Sequence, residues 1–512
     1  MQVFPLNNGG EDRNNQKMFI ARNILGHRFH KDQNMMEYLI EFLLIFTSEK
    51  NNDKNDGKMK FHDSDDKKLQ YTFDPKMGLR RFIFYDKTNK KDSVKLDENA
   101  YNELMDILAQ RMDSIESKKK EEYLAGIQDL FHGYACVVKN RYWGAQALLP
   151  ICPEFVLCES NPSTNARLEL QNKIENINSD TDEKTISKLC IDIEKKFDCN
   201  RHNYLARGGE IYYLHLLQGL KGHSDKKELL EKLLTNMLTD GTKKISNMAR
   251  FIQNTWLEEK EIDPKTLAVT LSMGYIPIDA YVKCEENSIN ELINYLSNNI
   301  HPVMRVEILA QGIMLQVMRM MTYAISERLH KKNEPWIIDM CATDNDVVKK
   351  ISENSFRRIE EDFLSAISLE ADALYENKPL AKDINDAKDR SITIFRGKGK
   401  EIGVVIPFTG ASERFSLSED IIRFLILSCL APGEKLTFDM FLERLYQHYN
   451  MVIGPIQYRK LVELNIGLEA NYINNFTNNM DAFSTFLKNA GFLRELSDAT
   501  SIVYNPYSKV EV

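Results

Sequence analysis

The sequence predicts a mainly α chain with small β elements, an α+β helical array that ends in a winged-helix-like unit. Three observations carry that prediction. Apolar residues recur at helical spacing from Lys226 to Leu329. Only short alternating or apolar runs interrupt the helical pattern, at Leu69–Phe73, Arg81–Tyr85 and Glu401–Pro407. The last hundred residues read as three helices followed by a hairpin.

Four segments follow from these patterns. Residues 1–225 form an N-terminal α+β domain with a short hairpin, and residues 226–378 a helical domain. Residues 379–400, polar and rich in Lys and Asp, are the linker, and residues 401–512 the winged-helix-like domain. A chain of 512 residues can bury more than one core, and 43% hydrophobic with 10% aromatic residues is globular composition. The net charge of -8 excludes a general nucleic-acid coat, which needs a basic surface to neutralise phosphates. Met1–Asp12 has neither a basic nor an apolar targeting region. Tyr38–Phe46, the longest apolar run, falls far short of the ~20 residues that span a bilayer. The expectation is a soluble cytoplasmic protein with no membrane contact.

Residues 1–17 read as a loose polar tail. Asp32 or Asn34 can cap a helix with Met35, Tyr38, Leu39, Phe42, Leu43 and Phe46 on one face. Residues 49–68, rich in Lys, Asp and Asn, read as a surface loop. Leu69–Phe73 and Arg81–Tyr85, separated by Asp74-Pro75 and Gly78, read as a hairpin or strand pair. Leu96–Ile115 and Tyr123–Phe131 read as helices, and Lys118–Glu122 as a solvated face. In the helical domain, Val306–Leu329 is strongly apolar and Met-rich, which reads as adaptable core packing before a partner face. Residues 344–378 read as a charged helix pair, and Glu401–Pro407 as a strand. Ser418 caps Glu419–Leu430, Thr437 caps Phe438–Tyr449, and Asp481–Asn489 is the third helix before a hairpin of Phe492–Leu496 and Ser501–Tyr504. That third helix carries a single Lys, so the unit suits protein contact better than base reading.

Three polar clusters sit in apolar surroundings. Arg22, Arg28 and His30 precede the Met35 helix and could hold an anion at its N-terminus; the plainer reading, favoured here, is a solvated basic loop. Arg141 lies beside Trp143 and could clamp a phosphate or stack on a base; more simply, Trp143 is core and Arg141 satisfies backbone carbonyls. His202, Arg207 and Glu210 flank Gly208-Gly209 at a helix start. They form either an anion pocket or, as favoured here, an interior Arg207–Glu210 ion pair at a helix crossing. No phosphate-loop, dinucleotide or nucleophile motif is present. The eight Cys lack CxxC spacing, with five residues between Cys152 and Cys158 and eight between Cys190 and Cys199, so no metal and no cofactor is expected.

Arg22-Asn23 through His30-Lys31-Asp32 and the helix to Phe46, Asn140–Pro150, and Arg201–Glu210 resemble a subunit family of bacterial multi-gene anti-phage defence systems. The pattern of Phe438 and Met440–Tyr446 fits the same resemblance. It implies an accessory or scaffold subunit that works beside an ATPase, nuclease or methyltransferase. Its partners would be other proteins of the same operon, with DNA reached indirectly through them. Together with the missing catalytic motifs, this gives the expected function: a non-enzymatic scaffold of a phage-defence or DNA-processing complex. The alternatives are a cryptic enzyme or anion-binding site around His202, Arg207 and Glu210, or direct DNA binding by the C-terminal unit.

Overall fold

The computed structural model describes residues 3–5, 20–26, 29, 33–50, 58–66, 69–87, 95–112, 117–136, 146–157, 164–177, 184–185, 188–189, 208–341, 346–375, 381–464, 468–497 and 500–511. Side-chain burial is described for these except residues 96, 117–118, 164–167, 170, 174 and 279–285. The architecture is mainly helical with small sheets, as the periodicity predicts.

The N-terminal part begins with β1 (Val3–Phe4) and α1 (Ile20–Leu25), then α2 (Met35–Thr47). Asn34 caps α2 in a reciprocal box. Its side chain accepts the Glu37 N–H at 3.1 Å, and the Glu37 carboxylate accepts the Asn34 N–H at 2.9 Å. At the other end the Lys50 ammonium donates to the carbonyls of Ile45, Phe46 and Ser48 at 2.6–2.7 Å. Burial pulls the Lys50 ammonium down to about 7, with Glu231 opposing, while the three carbonyls favour its charged form. Lys50 therefore anchors α2, and the 49–68 segment is not wholly surface loop: Phe61 and His62 are also buried.

The expected hairpin at 69–85 is half right. β2 (Glu49–Lys50) and β3 (Gln70–Phe73) form an antiparallel sheet with a distant strand, β4 (Val269–Ser272), and β3 lies in the middle. Arg81–Tyr85 belongs to a helix and its cap, α3 (Met77–Phe84), in which every side chain is buried. A short apolar run fits a buried helix as well as a buried strand. Here the arginines decide: the Arg81 guanidinium stacks 4.8 Å from the Trp256 ring centroid, and the buried Arg80 donates to the Gln146 carbonyl. α4 (Lys95–Gln110) and α5 (Ser117–His132) follow, with α5 taking in the Lys118–Glu122 run. Then come α6 (Thr164–Glu175) and α7 (Gly208–Gly219).

The helical part continues with α8 (Ser224–Thr239), α9 (Lys243–Glu259) and α10 (Pro264–Leu267). β5 (Ile276–Pro277) pairs with β1 and leads into α11 (Ile278–Leu296) and α12 (Pro302–Arg328). α12 runs through the centre, packed against α2, α7 and α11. It is the one helix among the described residues long and apolar enough to cross a membrane, and 94% of its apolar window is buried by protein. Met314, Met318, Met320 and Met321 are all in that core.

After β6 (Trp336–Ile337), residues 346–374 form one long helix, α13 (Asp346–Leu374), where a helix pair was expected. The expected linker 379–400 is occupied by α14 (Ala381–Asp389) and α15 (Ile392–Glu401). Its polar composition hides the side chain that fixes it: Phe395 is fully buried and meets the rings of Trp336, Phe356, Phe363 and Phe415. The strand expected from Glu401 starts only at β7 (Val405–Ile406), which pairs with β8 (Arg414–Phe415).

Ser418 and Thr437 cap α16 (Glu419–Cys429) and α17 (Phe438–Tyr449) as read from the sequence, and β9 (Lys435–Thr437) lies between them. β10 (Met451–Val452) pairs in parallel with β6. An unforeseen helix, α18 (Pro455–Glu463), precedes α19 (Asn475–Asn489), which starts six residues before the expected Asp481. The hairpin β11 (Leu493–Ser497) and β12 (Thr500–Tyr504) closes a three-stranded sheet with β12 between β11 and β9. One apolar cluster includes Phe4, Met318 and Val503, so the segments pack around a shared core.

Candidate functional site

The Gly208-Gly209 pair is a helix crossing. A Cβ on Gly208 would fall 1.6 Å from the Tyr38 ring, and one on Gly209 would fall 2.2 Å from the Tyr38 carbonyl and 2.7 Å from the Phe42 nitrogen. Only glycine lets α7 approach the α2 backbone this closely. Two fully buried carboxylates flank the crossing. Glu41 accepts the Glu210 N–H at 3.2 Å, and Glu210 accepts the Gly274 N–H at 2.7 Å. Glu37 is buried one turn before Glu41. The Tyr38 hydroxyl is fully buried and makes no hydrogen bond among the described residues. Burial, together with Glu41, Glu401 and Glu37, holds it well above the ordinary phenol range.

Of the residues expected to form a site, Arg22 and Glu210 are described. The structure brings them to consecutive residues of one loop, since the Arg22 guanidinium lies 5.2 Å from the Tyr275 ring centroid and Glu210 holds Gly274. Arg28, His30, Arg141, His202 and Arg207 lie outside the described residues. The described neighbours of two of the three polar clusters nonetheless reach the first turns of α2. Phe29 stacks on Tyr38 at 6.4 Å, and Gly208 abuts Tyr38. Among the described residues no group of three His, Cys, Asp or Glu side chains is placed to hold a metal.

A second polar cluster was not read from the sequence. Arg319 on α12 grips Glu291 on α11 with both terminal nitrogens, at 3.2 and 3.1 Å, and both side chains are almost fully buried. Gln316 donates to Glu291 at 2.6 Å, and His448 Nδ1 lies 3.3 Å from it. Arg319 also donates to the His448 carbonyl at 2.7 Å and to Ser288 Oγ at 2.9 Å, and stacks on the Tyr449 ring at 4.6 Å. His215 on α7 meets the same Ser288 hydroxyl at 2.9 Å. Burial works against the Glu291 carboxylate, yet Arg319, His448 and Gln316 hold its pKa below the ordinary value. Burial and then Arg319 pull His215 down to about 3, so it stays neutral. The signal was available: Glu291 and Arg319 are lone charges in apolar stretches, Ile289–Leu292 and Met318–Met321. So enclosed a pair joins α17 to the core helices and offers no open face for a substrate.

Compared with known proteins, the chain matches no family model, no curated protein and no solved structure.

Proposed function

We propose that this chain is a non-enzymatic scaffold subunit of a bacterial multi-protein phage-defence or DNA-processing complex, acting in the cytoplasm through protein–protein contacts of a winged-helix-like C-terminal unit. The observation that carries this reading is the character of α19. The run α16–β9–α17–α18–α19–β11–β12, with β12 central in the sheet, supports a winged-helix reading, in which α19 takes the part of the reading helix. Its exposed face offers Thr477, Asn478, Asp481, Thr485, Lys488 and Asn489. The single cation on that face, Lys488, is 2.8 Å from Glu495 of the hairpin. Phosphate binding needs several free cations, so this face favours a protein partner. Met440 and Ile456, exposed on α17 and α18, flank the Glu443 carboxylate, which Gln457 and Lys460 hold at 3.1 and 2.6 Å, and they supply apolar contact.

Two measurements on the full chain test the reading. Fluorescence anisotropy with a labelled duplex at low salt is expected to show no binding. Co-purification with the proteins encoded beside it is expected to survive nuclease and to fail when Met440→Glu and Ile456→Glu are combined. Tight, salt-sensitive duplex binding would replace the scaffold with direct DNA binding. The other reading, an enzymatic or anion site around His202, Arg207 and Glu210, draws support from the described neighbours meeting at α2. Against it, Glu210 is fully buried and holds a backbone N–H.

A further inference from the structure

We propose that the cleft between the start of α3, α9 and the Pro153–Phe155 turn binds a small zwitterion, a free α-amino acid with an apolar side chain. The cavity holds about 290 Å³. Ligand pockets generally run from roughly 300 to 1,000 Å³, so this one suits a small metabolite better than a nucleotide or a large cofactor. Its floor is apolar: Leu79, Leu257 and Leu267 line it and are buried. The buried Gln253 amide is fixed in the same wall, accepting the Leu79 N–H at 3.0 Å and donating to the Pro75 carbonyl at 3.4 Å.

The rim carries both signs of charge in two separate clusters. Lys58 Nζ lies 3.2 Å from Asp74 and 3.3 Å from Glu49, and Arg250 Nη2 lies 3.0 Å from Glu154. A third cation, Lys76, is engaged by the Pro153 and Val156 carbonyls at 2.7 and 3.1 Å. A phosphate would meet cations that already face carboxylates. A molecule with both charges meets a matched set. Its carboxylate faces the rim cations, its ammonium the rim carboxylates with Glu154 foremost, and its side chain covers the leucine floor. Arg250, Lys58 and Asp74 are 57%, 52% and 43% exposed, so their pairs are weak and exchange readily for a ligand's charges. Glu154 is only 14% exposed and sits on the Pro153–Phe155 turn, which makes it the less mobile anchor for the ammonium.

Isothermal titration of the full chain tests this with L-leucine, L-methionine and L-phenylalanine, and with 4-methylpentanoate and isoamylamine, which each keep one of leucine's two charges. Saturable binding of at least one amino acid is expected, with each single-charge analogue weaker by about tenfold or more. Arg250→Met and Glu154→Gln are each expected to weaken amino-acid binding by a similar factor, with the far-UV circular dichroism of the parent chain retained. The proposal is overturned if none of the three amino acids binds, if binding survives both substitutions, or if a single-charge analogue binds as tightly as leucine.

Discussion

At the α2–α7 crossing, Glu41 and Glu210 each accept a backbone N–H beside two glycines that allow the helices to touch. At the α11–α12 contact, Glu291 is instead gripped by a guanidinium, an amide and an imidazole on α12 and α17. All three carboxylates are almost fully buried, but what holds them differs. The first region depends on backbone shape, so its weak points are glycines. The second depends on one matched charge pair, so its weak point is Arg319. A buried polar cluster is therefore not by itself evidence of chemistry; what it does follows from which groups satisfy it.

The comparison is sharpest at Arg319. Arg319→Met strands the Glu291 carboxylate in the core and is expected to cost about 3–5 kcal/mol in urea unfolding. Adding Glu291→Met should recover most of that loss. If the double variant is as unstable as the single one, the cost lies in Arg319's contacts with His448, Tyr449 and Ser288 and not in a stranded Glu291 carboxylate.

Glycine is the corresponding test of the first region. Gly209→Ala places a Cβ against the Tyr38 carbonyl and Phe42 nitrogen, which cannot rotate away, so a cost of about 1–3 kcal/mol is expected. Gly208→Ala meets a tyrosine ring and should cost less if that ring can turn. An unchanged melting temperature for Gly209→Ala would mean that the helices do not cross so closely.

Acid titration separates the two regions further. His215 is held to about 3 and His62, through burial and then Lys50 and Lys227 against the Gln70 carbonyl, to about 4. Both lie below the ordinary value near 6.5, so the unfolded chain takes up these protons first. Stability present above about pH 6.5 is then lost as pH falls toward 4, by about 1.4 kcal/mol per pH unit for each histidine. Stability measured at successive pH values should lose one proton of this slope in His215→Gln. Glu291 adds a later loss, since its pKa is depressed: its contribution is present above the unfolded carboxyl value and disappears as pH falls through the folded one.

The smallest effect is expected at Tyr38. Its hydroxyl has no hydrogen bond among the described residues, so Tyr38→Phe should change stability by less than about 0.5 kcal/mol. Tyr449→Phe removes a 3.2 Å contact with Ser428 and should cost about 1 kcal/mol. The reverse order would show that the Tyr38 hydroxyl has a partner of consequence.

Helices and caps were legible because they are local. Asn34, Ser418 and Thr437 each sit one residue before an amphipathic helix, and each caps it. What was not legible depends on distant partners. β3 found β4 about two hundred residues away where a hairpin had been expected, and Arg81–Tyr85 became helix because Trp256 gives Arg81 a place to stack. Residues 379–400 looked like a linker by composition, yet one aromatic, Phe395, commits them to the core. At the crossing, Gly208-Gly209 signalled a close approach and the structure supplies Tyr38 as its cause. The Glu291–Arg319 pair was missed because each charge alone looks like an ordinary interruption of an apolar helix.

Native mass spectrometry of the tagged chain, purified from its host after nuclease treatment, tests the scaffold account most directly. The account predicts a defined assembly of this chain with proteins of its own operon, free of nucleic acid. The chain recovered alone, or an assembly that falls apart when nucleic acid is removed, would contradict it.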